Sequence, residues 1–196
     1  LGHVVGDELY KQKGVSGMQV CTHDFRNACS HSIVVGAFIT EGTHALDTIR
    51  RACYKAPGGK GAYTMCFHGL GHGVLAYADY DFSKAVQLCK ETGTDEYRNR
   101  EYAECIGGAV MELIGGGFHD KRVWTEMRPR FLQSEDPLSL CSPKLIPDDE
   151  ARELCYVYIT PYLFEVVALD GAHPTGEDLT KAFLYCNNIP AGENIF

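Results

Sequence analysis

The chain has 196 residues, 45% of them hydrophobic and 22% charged, enough to bury a substantial core as one domain or as a short repeat array. A formal net charge of -8 argues against nucleic acid or an anionic membrane surface as the main partner. No apolar run approaches the roughly 20 residues needed to span a bilayer.

The nine cysteines are spread along the whole length. That usage points to a disulfide framework and an oxidising compartment: secreted, periplasmic or the lumen of the secretory pathway. Leu1 to Val5 has no basic start and no long apolar core, so it is not a signal peptide. The expectation is a mature or trimmed segment.

Taken in chain order, the sequence repeats itself. Leu1-Gly2-His3-Val4-Val5 aligns with Leu70-Gly71-His72-Gly73-Val74, which suggests a start inside the first helix of a unit. Cys29-Ser30-His31-Ser32-Ile33 opens the next first helix, followed by Cys66-Phe67-His68-Gly69-Leu70, Cys105-Ile106-Gly107-Gly108-Ala109 and Cys155-Tyr156-Val157-Tyr158-Ile159. These cysteines are 37, 39 and 50 residues apart. The second helices read Ala45 to Cys53, Asp81 to Cys89 and Asp178 to Cys186, with Asp81 and Asp178 placed as N-caps. Both ends of the chain are expected to be cut from a longer array.

The expected fold is all-α, an α-solenoid of disulfide-linked two-helix repeats. It forms one domain, 1–196, with units near 1–21, 22–53, 54–89, 90–141 and 142–186. Residues 119–150, rich in proline and carrying Trp124, form an insertion that either covers a site or is a surface loop packed by its own aromatics. In this register the last cysteine of each second helix bonds the first of the next unit: Cys21–Cys29, Cys53–Cys66, Cys89–Cys105 and Cys141–Cys155. Cys186 is left free or pairs outside the segment.

This pattern of a cysteine closing one helix and another opening the next resembles the cysteine-rich Sel-like repeat proteins, secreted relatives of tetratricopeptide arrays. Cys21 and Cys29 carry the closest spacing; the histidine-glycine motif lies outside that family's pattern. The resemblance implies binding or scaffolding. A second resemblance is to the lanthionine cyclases, whose helical toroid holds zinc through a Cys-His-Gly segment. Cys66-Phe67-His68-Gly69 has one residue more between Cys and His.

The chemistry-bearing stretch is Cys66-Phe67-His68-Gly69-Leu70-Gly71-His72-Gly73. His68 and His72, four apart, project from one helix face, and Gly69 and Gly73 leave a groove for another backbone. His31 shares the offset of His68, and Glu112 lies one position from the offset of His72, so stacked units bring all four to one surface. That set suits a divalent transition metal, zinc first and iron or copper next, with His3 as a possible addition. The alternatives are hydrogen-bonded structural histidines or a non-metal ligand site. The function expected is a binding or assembly module with a protein partner or with itself. A metal-dependent hydrolase or oxidoreductase is the alternative, with Glu112 as its general base. The zinc-hydrolase signature His-Glu-x-x-His is absent.

Overall fold

The computed structural model describes residues 1–22, 24–117, 119–168 and 173–190, those at 24–26 by backbone alone. The described residues form helices and turns and no strand. In chain order they are α1 (Gly2–Lys13), a 3₁₀ segment (Gly14–Val20), α2 (Asp24–Glu41), a 3₁₀ turn (Gly42–Ala45) and α3 (Leu46–Lys55). Then come α4 (Gly59–Tyr77), α5 (Phe82–Lys90), α6 (Arg100–Gly115) and α7 (Lys121–Phe131). A 3₁₀ turn (Ser139–Cys141), α8 (Asp149–Tyr158), α9 (Thr160–Val167), α10 (Gly176–Leu184) and a last 3₁₀ turn (Tyr185–Asn188) complete the order.

The longer helices pack in series: α1 on α2, α2 on α4, α4 on α6 and α6 on α8. α3 lies against α4 and the Gly14–Val20 segment, and α5 against both α4 and α6. One continuous core runs from Met18 through Phe38, Phe67, Leu70, Phe82, Ile106 and Leu113 to Leu140 and Ile159. Four disulfides join Cys21 to Cys29, Cys53 to Cys66, Cys89 to Cys105 and Cys141 to Cys155. These are the pairs that the cysteine register predicts. Cys186 is free.

Helix boundaries differ from the expectation. The second cysteine of each bond does not open its helix. α2 and α6 begin five residues before Cys29 and Cys105, α8 six before Cys155, and α4 seven before Cys66. The cysteine marks where the helix meets its staple, one to two turns in, and the helix starts where the preceding turn allows. Asp81 caps α5, its carboxylate accepting from the Lys84 N–H. Asp178 is not the cap of α10. Thr175 is, in a capping box whose third helical position is Asp178. The cysteines at Cys21 and Cys141 end 3₁₀ segments rather than second helices of full length.

Glycine decides how closely the series packs. A Cβ on Gly71 would overlap the Cys105 carbonyl, and one on Gly108 the His68 carbonyl, so α4 and α6 cross backbone to backbone. On the other side of α4, Gly69 seats the His31 ring and Gly73 lies 3.0 Å, by its would-be Cβ, from Val35 Cα of α2. The groove expected beside the histidines is thus filled by α2. The 119–150 stretch places α7 over the end of α6. There Trp124 Nε1 and Arg128 Nε donate to the carbonyls of Leu113 and Ile114, 2.9 and 3.1 Å away. These are last-turn carbonyls with no partner inside their own helix.

Candidate imidazole and carboxylate site

α2 and α4 bring three imidazoles together. Ring centroids of His31 and His68 are 5.8 Å apart, of His31 and His72 6.2 Å, and of His68 and His72 5.5 Å. His31 and His68 are buried, 8% and 3% exposed, and the His72 side chain reaches the surface with 23%. Tyr158 of α8 covers His68 with centroids 4.7 Å apart. His3 lies at the edge of the group, its Nδ1 3.1 Å from the Ser32 hydroxyl.

Each ring of the trio has one nitrogen directed at an acceptor. His31 Nε2 is 3.1 Å from the Met65 carbonyl. His72 Nδ1 is 3.1 Å from Glu112 Oε2. The other Glu112 oxygen accepts from the Tyr80 hydroxyl at 3.1 Å and the Gly117 N–H at 3.0 Å. Glu112, expected as a ligand or general base, is therefore held by three donors and also secures the turn that ends α6. His68 Nδ1 faces Glu104 Oε2 at 3.7 Å, beyond hydrogen-bond reach, and among the described residues neither buried atom has another partner. The second Glu104 oxygen is gripped by Arg100 Nε and Nη2 at 3.2 and 2.9 Å, and Arg100 Nη1 donates to Glu150 at 2.9 Å.

Glu104 is the member of this cluster that the sequence reading missed. A signal was there: Glu104, Gly108 and Glu112 recur at every fourth position, which places both carboxylates and the crossing glycine on one stripe of α6. The expected quartet of His31, His68, His72 and Glu112 does meet on adjoining helices. Yet among the described residues no three His, Cys, Asp or Glu groups surround a common point closely enough to hold an ion as they stand. A surface cleft of about 570 Å³ lies elsewhere, lined in part by Tyr10, Lys13, Val15, Glu41 and Thr48.

Burial sets the charge state. Desolvation, with repulsion from His68 and His72, lowers the His31 pKa to about 3, and desolvation also pulls His68 below its ordinary value. Burial alone would raise the Glu112 carboxyl, but the hydrogen bonds and charge of His72, with the Gly117 and Tyr80 donors, bring it below the ordinary range. All three groups bind fewer protons folded than unfolded at acid pH. Stability is therefore full above about pH 6.5, the unfolded histidine value, and falls as pH drops toward 3, with Glu112 adding to the loss below about 4.5. We expect the Tm to decline by roughly 3–5 °C per pH unit for each fully titrating histidine between pH 6 and 4. Circular dichroism melts across pH 7.5 to 4 measure this, and a flat profile contradicts the burial of His31 and His68.

Among the described residues no helix is long and apolar enough to cross a membrane. The four disulfides are consistent with an oxidising compartment. No protein-family model, curated protein or solved structure matches the chain.

Proposed function

We propose that the protein is a disulfide-stapled helical-repeat scaffold of an oxidising compartment, a binding or assembly module that holds a divalent transition metal beside His31, His68 and His72. The helix series α1, α2, α4, α6, α8 is read as the first helices of successive repeat units. Each from α2 onward is tied by one short disulfide to the segment before it. Such a frame keeps a surface rigid, which suits recognition of a protein partner or of another copy.

The observation that carries the metal reading is the packing of three imidazoles within 6.2 Å of one another, two of them buried and uncharged at neutral pH. Neutral imidazole is the form that ligates zinc, copper and nickel, and it does not suit calcium or magnesium. A metal-dependent hydrolase or oxidoreductase is the second reading. What favours it is the surface access of His72, which would leave solvent beside an ion held there.

Elemental analysis of the non-reduced protein, beside a His68→Ala/His72→Ala variant, is the test. About one equivalent of zinc, copper or iron is expected, with the variant free of it. Metal-free wild-type protein that also takes up none of these ions on dialysis overturns the metal reading and leaves the scaffold.

A further inference from the structure

The hydrogen-bond partners of the three rings identify which nitrogen each would offer a ligand. A carbonyl oxygen only accepts, so the contact from His31 Nε2 to the Met65 carbonyl requires the proton on Nε2 and leaves the lone pair on Nδ1. Glu112 receives the Tyr80 hydroxyl and the Gly117 N–H on one oxygen, and its other oxygen accepts from His72 Nδ1. His72 in its neutral form then carries its lone pair on Nε2. Glu104 repeats the arrangement about two turns earlier on the same stripe of α6: Arg100 engages one oxygen, and the other faces His68 Nδ1, both atoms buried and otherwise without a partner among the described residues. A movement of less than about 1 Å would bring that pair into hydrogen-bond contact.

Histidines that ligate metals almost always donate their second ring nitrogen to a carboxylate or backbone carbonyl, which sets both tautomer and ring orientation. Here His31 and His72 have that feature, and His68 faces Glu104 just short of it. Resting on the metal reading above, we infer that Glu104 and Glu112 are positioning residues rather than ligands, and that a transition-metal ion is taken by Nε2 of His68, Nε2 of His72 and Nδ1 of His31. This moves Glu112 out of the ligand set and brings Glu104 in as its counterpart. Rings sharing one zinc have centroids roughly 5 Å apart. The observed 5.5 to 6.2 Å therefore requires small shifts of the three rings toward one another.

Two measurements test this. Long-range ¹⁵N–¹H spectra of the metal-free wild-type protein at pH 7.5 should show His68 and His72 as Nδ1–H tautomers and His31 as Nε2–H. Zinc or cobalt(II) titration should then perturb the opposite nitrogens. Glu104→Gln and Glu112→Gln should each weaken zinc by about 10–100-fold in a chelator competition while leaving about one equivalent bound at saturation. An Nε2–H tautomer on either His68 or His72 overturns the inference whatever the metal does, and that spectrum needs no variant to fold. Complete loss of stoichiometric binding in Glu112→Gln, with the tautomers unchanged, also overturns it by making that carboxylate a ligand. The expected tautomers with no uptake of zinc or cobalt overturn the metal reading itself and leave the hydrogen-bond assignment standing.

Discussion

Gly108→Ala should destabilise the protein by at least about 3 kcal/mol, a fall in Tm of roughly 6–12 °C for a chain of this length. The added methyl would overlap the His68 carbonyl, which is helix backbone and has no rotamer to escape into. The only relief is separation of α4 from α6, and that opens the core at Leu70, Ile106 and Ala109. Gly71→Ala meets the Cys105 carbonyl in the same way, and the two substitutions together should be less than additive because they force one displacement. Gly61 is the matched control. It lies in the first turn of α4 with open space around its Cβ direction, so alanine there should stabilise by up to about 1 kcal/mol through helix propensity. Thermal melts of the three single variants separate the cases. Equal behaviour of Gly108→Ala and Gly61→Ala would contradict the backbone crossing.

Loss of the disulfides should be larger still. The bonded cysteines are 8, 13, 16 and 14 residues apart, and loops of that size contribute about 2–3 kcal/mol each by restricting the unfolded chain. Four of them sum to about 10 kcal/mol, the scale of a typical domain's whole stability. Full reduction in mild denaturant should abolish the cooperative transition at 25 °C. Single removals should rank by loop and burial. Cys89→Ala/Cys105→Ala should shift the urea midpoint most, since its loop is the longest and both sulfurs are wholly buried. Cys21→Ala/Cys29→Ala should shift it least. The reverse order would show that local packing, and not loop closure, sets the contribution.

The cysteine pairs were legible because their spacing repeats and each partner is the next cysteine along. The helix starts were not. Gly58 and Gly59 are poor helix formers, yet Gly59 begins α4: both take positive φ, 109° and 67°, in a turn that favours glycine and from which the helix starts. At α10 the sequence offers Thr175 three residues before Asp178, and the first of these is the cap. In the site, the His68/His72 spacing and the position of Glu112 could be read directly. Glu104 could have been found from its spacing to Glu112. The Met65 carbonyl and the Gly117 N–H could not, since main-chain partners leave no mark in residue types.

Every bonded pair consists of consecutive cysteines, although eight cysteines can be joined in 105 ways. A chain threaded through a translocation pore in order would expose Cys29 before Cys53 exists on the far side, and Cys66 before Cys89. Among these eight, each bond can therefore close before the next pair of cysteines emerges, and the short loop makes closure fast and entropically cheap. Oxidation of this chain should need little reshuffling, and its folding can advance one disulfide at a time at the rate at which the chain is delivered.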